Sequence, residues 1–347
     1  MTSRDRVCAA LLGDPVDRVP ATLGFRPTPV EHYAPEGYPG PMPDAVSVSF
    51  KTSVDEANFQ SRVRQARYDT KLGAPELLAN YRDWTYWHPD QRNPLARATT
   101  AKEILDFSFP NMNDSARHAH LPHAIADFKM QGYAVAGSLP HLGGELFETG
   151  WRLRGLETWL LDLVDRPELA DALLNRLRDM CVANAQILAR AGVDILVLDD
   201  DVGMPTSMMI GRDLWAKYFK PRMGEIIAAG RAINPDLLVL YHSDGWILPI
   251  VDELIEIGVN AQNPIQPDVV DPLEIKSKFG DRITLWGAVG TQATFSDSTP
   301  EAVIRETQMR LDTLGPDRLV LCPAYDLVDS HFRWPNIEAF LKQVAKQ

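Results

Sequence analysis

The chain has 347 residues, 45% of them hydrophobic, so it is long enough to bury a large core. Its formal net charge is −12 without clustered lysine or arginine, which argues against nucleic-acid binding. No apolar run approaches the roughly 20 residues of a membrane-spanning helix. The three cysteines are widely spaced and no signal-like stretch opens the chain, so we expect a cytoplasmic protein without a disulfide framework.

Short apolar runs that end in polar residues alternate with longer segments of helical periodicity. After a short helix around Arg6 to Leu12, the predicted strands are Arg18 to Gly24, Tyr133 to Ser138, Asp194 to Asp199, Leu237 to His242, Val259 to Gln262, Ile283 to Val289 and Leu319 to Cys322, with an eighth near Ala74 to Asn80. These runs are continuous rather than alternating, which is typical of parallel strands buried on both faces.

Apolar positions three to four residues apart predict the intervening helices. They fall at Leu156 to Leu163, Pro167 to Ala191, Asp213 to Ile233, Ile247 to Ile257 and Pro300 to Leu314. The repeated alternation predicts an α/β fold, a (β/α)8 TIM barrel that forms one domain over residues 1–347. A doubly wound open sheet is the alternative, disfavoured because no glycine-rich phosphate loop follows the first strand.

The segment from Arg26 to Asp114 is predicted to be an irregular insertion. It is rich in proline and aromatic residues, and long loops in compact domains often serve as a lid or a pocket wall. Trp84 and Trp87 could line an aromatic pocket there, or simply anchor the loop.

Polar residues follow several of the predicted strands, at the barrel end where active sites lie. They are Asp199, Asp200, Asp201, His242, Asp244, Asn263, Gln266, Gln292, Cys322 and Tyr325. Charged and imidazole groups are costly to bury unless they are paired, ligated or used. We therefore predict that this set contains the functional site.

His242 and Asp244 form the sharpest pair in that set. Residues two apart on an extended strand point to the same side, and Cys322 ends a later strand. A histidine, a carboxylate and a cysteine can hold zinc with one position open. Alternatively, His242 hydrogen-bonds Asp244 while Cys322 is a small core residue.

Two further clusters allow both a functional and a structural interpretation. Asp199 and Asp200 could orient a substrate or act as a base, or they could cap a helix, whereas Asp201 is better explained as solvated. His118, His120 and His123 lie in a polar loop and are interpreted as solvated or packing residues.

Several motifs, in order along nearly the whole chain, resemble the uroporphyrinogen decarboxylase superfamily. They are T-S-R-D-R-V-x-A-A-L-x-G-D-P-V-D-R-V-P ending at Pro20, G-E-L-F-E-x-G-W-R-L-R-G-L-E around Glu145 to Glu157, L-D-D-D-V-G at Leu198 to Gly203, H-S-D-G at His242 to Gly245, N-P-I-Q at Asn263 to Gln266, and W-G-A-V-G-T-Q at Trp286 to Gln292. The resemblance implies a TIM barrel.

Two departures from the family pattern bear on activity. Decarboxylases of this family carry R-Q-A-G-R-Y near the first strand, whereas this sequence has L-G-F-R-P-T-P and retains only Arg26. Thiol-methylating members hold zinc with H-x-C and a later cysteine. Here His242 and Cys322 match, but Asp244 replaces the first cysteine, which favours a harder site that binds an ether oxygen.

The resemblance therefore implies a corrinoid-dependent methyltransferase acting on a small methylated molecule, plausibly an aryl methyl ether. Cobalamin would come from a partner corrinoid protein, and His242, Asp244 and Cys322 would hold zinc. His242, Asp199 and Tyr325 are the candidate proton donors. Arg26, Trp84, Trp87, Asp200, Asn263, Gln266 and Gln292 are the candidate substrate contacts. A metal-free decarboxylase of a tetrapyrrole-like or aromatic acid, and a non-catalytic corrinoid- or tetrapyrrole-binding barrel, are the alternatives.

Overall fold

The computed structural model describes residues 1–51, 93–109, 111–296, 298–324, 327 and 333–347, with only the backbone at 292 and 293. Seven strands form one sheet in sequential order, β1 to β7, and every pair of neighbours is parallel. The sheet curls into a half-barrel with helices outside it, so the fold is α/β and resembles a TIM barrel.

The strands are Ala45–Val48 (β1), Ala134–Ser138 (β2), Ile195–Asp199 (β3), Leu238–His242 (β4), Ala261–Ile265 (β5), Thr284–Val289 (β6) and Leu319–Pro323 (β7). The α-helices are Ser3–Leu12 (α1), Ala101–Leu105 (α2), Leu121–Met130 (α3), Phe147–Arg154 (α4), Leu156–Asp165 (α5), Pro167–Ala191 (α6), Arg212–Tyr218 (α7), Lys220–Arg231 (α8), Val251–Glu256 (α9), Pro272–Phe279 (α10), Pro300–Leu314 (α11) and Trp334–Val344 (α12). A π-helical turn, Thr291–Ser296, follows β6.

Alternate residues of each strand enter two different apolar clusters. Ile195 and Val197 of β3 pack in the inner cluster, whereas Leu196 and Leu198 pack against the helices. Because side chains alternate across a strand, the inner face of β3 continues to Asp199 at its carboxyl end.

Helix α1 fills the amino end of this inner cluster. Thr2 begins the helix with a capping box, and Val7, Ala10 and Leu11 are buried among the inward strand residues. The Thr284 hydroxyl donates a hydrogen bond to the Ala10 carbonyl, 2.8 Å away. The opposite end, where the strands finish, is therefore where the polar side chains collect.

Three predictions about the elements need correction. Strand β1 lies inside the segment that the sequence analysis treated as irregular, and it was missed because it has only four residues and follows a proline-rich stretch that ends at Pro43. The predicted strand Arg18 to Gly24 is reduced to one parallel bridge, between Ala21 and Leu321. The predicted helix Asp213 to Ile233 is two helices, since Pro221 lies in the first turn of α8.

The predicted helix Ile247 to Ile257 begins as a short 3-10 turn, Leu248–Ile250, before α9. The segment Ala74 to Asn80, predicted as an eighth strand, lies outside the described residues. In the part of the chain that the structure describes, no helix is both long and apolar enough to cross a membrane.

Candidate active site

The register of the sheet brings three polar residues into one row. Asp199 at the end of β3 pairs with His242 of β4, and His242 pairs with Asn263 of β5. All three lie at inward positions, and all are buried. The sequence shortlist contained these residues, and the strand order explains why they meet.

His242 is held in one orientation by its neighbours. Its Nδ1 lies 2.5 Å from the Asn263 Oδ1, and the Asn263 Nδ2 donates to the Trp286 carbonyl, 2.9 Å away. This second bond assigns Oδ1 as the acceptor, so Nδ1 carries the proton and Nε2 presents a lone pair. The Phe25 ring stacks on the imidazole with a centroid distance of 3.6 Å.

Carboxylates surround the Nε2 side of the ring. The distance from Nε2 to the Asp201 Oδ1 is 3.8 Å, and to the Asp244 Oδ1 it is 3.9 Å. The backbone amide of Asp244 donates to Asp201 Oδ1, and the Gln266 side chain donates to Asp244 Oδ1. Backbone and side-chain donors thus fix both carboxylates beside the imidazole.

Asp199, Asp201 and His242 each offer one ligand atom, and these atoms lie within 4.8 Å of one another. We call these three residues the triad. An imidazole nitrogen with carboxylate oxygens is a donor set that suits zinc and other divalent ions. The hydrogen bond from Nδ1 to Asn263 is the outer contact that metal-binding histidines ordinarily make. The donor chemistry therefore fits a divalent cation.

Cys322 lies on the other side of Asn263 from the triad. Its Sγ is 4.0 Å from the Asn263 Nδ2 and donates to the Pro323 carbonyl at 3.1 Å, while Nε2 of His242 faces away from that amide. The predicted ligand set of His242, Asp244 and Cys322 thus shares His242 with the triad but differs in its other members.

Arg26 and His141 complete the wall beside Asp199. The Arg26 Nη2 donates to Asp199 Oδ2 at 2.8 Å and lies 2.5 Å from His141 Nε2. Burial, aided by the nearby cations Arg26 and Arg152, holds the pKa of His141 well below its usual value. A neutral His141 is consistent with accepting the hydrogen bond from Arg26.

Helix α4 is anchored to the site by Asp200. Its two carboxylate oxygens accept from the backbone amides of Phe147 and Glu148, at 2.8 and 3.0 Å. Burial raises the pKa of this carboxyl to about 7, although the amide hydrogen bonds oppose the shift. Asp200 points away from Asp199 because adjacent residues face opposite sides, and it lies outside the cavity lining. This geometry matches the helix-capping interpretation of Asp200.

Two buried glutamates lie next to the aspartates. The Glu145 backbone amide donates to the Asp199 carbonyl, and the Asp199 backbone amide donates to the Glu145 carboxyl. Burial and the charge of Asp199 raise the pKa of Glu145 well above its usual value. Burial and the charges of Asp201 and Asp199 raise the pKa of Glu148 to about 8. Glu148 is therefore mostly protonated at neutral pH.

These residues enclose a cavity of about 270 Å³. Four carboxyl groups and two guanidinium groups line it, those of Asp199, Asp201, Asp244, Glu148, Arg26 and Arg152. With Glu148 protonated, the three aspartates exceed the two arginines by one charge. The cavity therefore offers no surplus positive charge to a polyanionic substrate.

A second cavity, of about 420 Å³, opens at the same end of the sheet. Gln266 lines it and also bonds to Asp244, which lines the first cavity. Pro205, Pro267 and Val269 give the second cavity a more apolar wall. Gln266 thus stands between a polar and a largely apolar compartment.

Some predicted site residues cannot be placed. Trp84, Trp87 and Tyr325 lie outside the described residues, and Gln292 is described only as backbone of the π-helical turn. Conversely, the sequence analysis did not single out His141, Glu148 and Arg152. Two of these, Glu148 and Arg152, are four residues apart in the G-E-L-F-E-x-G-W-R part of the family motif, where they face the same side of α4.

The histidine cluster lies elsewhere. His120 contacts the Ser49 carbonyl through Nε2, and His123 pairs with Asp127 at 3.3 Å. His123 lies within α3 and His120 directly precedes it, so the cluster is not confined to a loop as predicted, although its contacts agree with solvated or packing residues.

The fold and the site together define a parallel α/β protein whose buried imidazole and carboxylates lie at the carboxyl ends of the strands. The chain belongs to the uroporphyrinogen decarboxylase (URO-D) family, whose model matches residues 148–346. This confirms the family expected from the motifs.

Two relatives extend the likeness to nearly the full length. The chain is 20% identical over 337 residues to the methylcobamide:CoM methyltransferase MtaA of Methanosarcina barkeri, covering 91% of both proteins. It also superimposes on the structure of a methyltransferase from Methanosarcina mazei with a TM-score of 0.62 and 16% identity, covering 100% of this chain and 99% of that one.

Proposed function

We propose that the protein is a corrinoid-dependent methyltransferase that takes a methyl group from a small methylated molecule. The observation that carries the proposal is the orientation of His242, whose Nε2 faces a carboxylate pair while Nδ1 is fixed by Asn263. The full-length similarity to a methylcobamide-using methyltransferase supports the same reaction class. The methyl acceptor would be a corrinoid held by a partner protein.

The charge of the first cavity argues against a substrate with several carboxylates. Three aspartates oppose two arginines there, so a porphyrinogen with several carboxylates would find no matching set of cations. The volume of about 270 Å³ suits a small group. An aryl methyl ether could place its methoxy group here and its ring in the apolar cavity beyond Gln266.

We propose zinc as the resident metal, since the triad offers donors that suit it among divalent ions. We propose Asp199, Asp201 and His242 as its ligands, with Asp244 close enough to exchange with them. When bound, zinc would supply Lewis acidity to the oxygen that loses the methyl group. The rival ligand set from the sequence, His242, Asp244 and Cys322, requires Cys322 to reach past Asn263.

The chain's own residues would position the donor and supply a proton. When the methyl group leaves, the ether oxygen keeps the bonding electron pair and needs a proton. Glu148 lines the cavity and is mostly protonated near neutral pH in the metal-free protein, so it is a better candidate for that role than Asp199, which is paired with Arg26. Tyr325 remains the other candidate, whereas His242, whose Nδ1 proton is bonded to Asn263 and whose Nε2 would bind the metal, has no proton to give.

Decarboxylation of an aromatic acid is the second candidate, favoured by one observation. Arg26 and Arg152 both line the cavity and could bind a single carboxylate. That reaction would need neither a corrinoid nor zinc.

The decisive experiment offers cob(I)alamin, free or on a corrinoid protein, with a panel of aryl methyl ethers and follows the corrinoid spectrum. We expect methylation of the corrinoid and release of the phenol, with loss of both in His242→Ala. A surface histidine variant, His123→Ala, serves as the matched control. Corrinoid-independent release of carbon dioxide from an aromatic acid would instead establish the decarboxylase.

A further inference from the structure

Phe25 and Arg26, two consecutive residues, contact both ends of the triad. Phe25 stacks on His242, and the Arg26 guanidinium donates to Asp199 at 2.8 Å. The guanidinium carbon also lies 5.0 Å from the centroid of the Phe25 ring. Arg26 thus supplies a positive charge at a carboxylate that a metal would also use.

Two cations cannot share one carboxylate at short distance without repulsion. The Arg26 side chain is 38% exposed, whereas Asp199 is 8% exposed, so Arg26 is the partner with room to move. Its other polar contact, His141, is an imidazole whose side chain is 8% exposed rather than a second carboxylate. Among the contacts of the described residues, Asp199 is the one negatively charged group bonded to the guanidinium.

We propose that Arg26 is the displaceable counter-ion of the triad. In the metal-free protein its guanidinium neutralises Asp199, and a divalent cation takes over that role and releases Arg26 towards the cavity. Arg26 is therefore a positioning residue that sets the metal affinity. The inference rests on the zinc-binding part of the proposed function, and not on methyl transfer.

The first experiment measures zinc affinity by competition with a chromophoric chelator. We expect Arg26→Gln to bind zinc about tenfold more tightly, because a like charge next to a ligand is removed. Arg26→Lys keeps the charge and should stay near the wild-type affinity. Arg152→Gln removes a cation that pairs with Glu148 instead, so it should change the affinity less.

A double-mutant cycle assigns the effect to Asp199. If Arg26 acts through this carboxylate, Arg26→Gln gives no gain in an Asp199→Asn background. An equal gain in both backgrounds, or an unchanged affinity in Arg26→Gln, would overturn the proposal.

A second measurement needs no variant. Phenylglyoxal modifies accessible guanidinium groups, and peptide mass spectrometry reports the modification of Arg26 separately from other arginines. We expect faster modification of Arg26 when zinc is added to the wild-type protein. A slower or unchanged rate contradicts the displacement. If zinc accelerates the modification of Arg26 but the protein transfers no methyl group, only the methyl-transfer proposal fails.

Discussion

The Asn263 amide fixes the tautomer of His242, because its Oδ1 accepts from Nδ1 while its Nδ2 is bonded to the Trp286 carbonyl. The lone pair of Nε2 is consequently directed at Asp201 and Asp244. One uncharged residue on β5 therefore determines what the imidazole on β4 can bind.

Replacing Asn263 with leucine should weaken zinc binding without removing a ligand. We expect a fall of about 10- to 100-fold in affinity, the usual effect of losing the outer partner of a metal-binding histidine. Chelator competition measures the affinity, and nitrogen-15 spectra of the histidine ring report the tautomer.

Gln262→Leu is the matched control for that change. Gln262 precedes Asn263 on the same strand, is also buried, and points to the opposite face. It should leave both the affinity and the tautomer unchanged. If Asn263→Leu bound zinc as tightly as this control, the orienting role would be wrong.

Gly144 allows the loop before α4 to approach the end of β3. A Cβ at this position would lie 2.6 Å from the Asp200 Oδ1 and 2.7 Å from the Asp199 carbonyl oxygen. We expect Gly144→Ala to reduce the free energy of unfolding by about 1–3 kcal/mol, because backbone at a packed contact must shift. Chemical denaturation measures this loss.

Gly211→Ala provides the comparison for Gly144→Ala. A Cβ at Gly211 would meet no heavy atom within 4 Å, and the backbone there has an ordinary φ of −64°. This variant should be close to wild type in stability. Equal stabilities of the two alanine variants would show that the loop tolerates the added atom.

Much of the site could be predicted from the sequence because parallel strands end at the same edge. Asp199 and His242 each close an apolar run, Asn263 follows the predicted strand Val259 to Gln262, and strand order then places the three in one row. Adjacent side chains on a strand point to opposite faces of the sheet, so Asp199 and Asp200 must also point in opposite directions. The sequence alone did not reveal which of the two faces inward.

The remainder depends on contacts between segments far apart in the chain. Arg26 meets His141 across 115 residues and Asp199 across 173, and no local pattern encodes such pairs. Cys322 likewise contacts Asn263 across 59 residues. Strand β1 escaped prediction because four residues after a proline-rich stretch give too short a periodic signal.

Glu148 should make the stability of the metal-free protein depend on pH. Its pKa rises from 4.5 to about 8 on folding, so the folded state holds the proton more tightly than the unfolded chain. The free energy of unfolding then falls as the pH rises from 4.5 towards 8, and the loss is complete above pH 8. Glu148→Gln removes this contribution.

The free energy of unfolding of Glu148→Gln minus that of wild type should be roughly 2 kcal/mol more positive at pH 8.5 than at pH 5. This figure is smaller than the full pKa shift would give, to allow for screening by solvent. Urea denaturation in the presence of a chelator measures the difference at each pH. Glu145 and Asp200 contribute slopes of the same sign in both proteins, so they cancel. Glu157→Gln, on the exposed side of α5, should show no such change, and an identical response of the two variants would refute the assignment.

The two ligand sets for zinc predict opposite outcomes at Asp201 and Cys322. Asp201 Oδ1 faces Nε2 of His242, whereas the Asn263 amide stands between His242 and Cys322. We therefore expect about one zinc per chain in wild type and in Cys322→Ala, and strongly reduced zinc in Asp201→Asn and His242→Ala.

Elemental analysis after dialysis, together with the visible spectrum of the cobalt-substituted protein, measures both content and ligand type. Intense sulfur-to-cobalt charge transfer that disappears in Cys322→Ala would establish the thiolate set, because carboxylate and imidazole ligands do not produce that band.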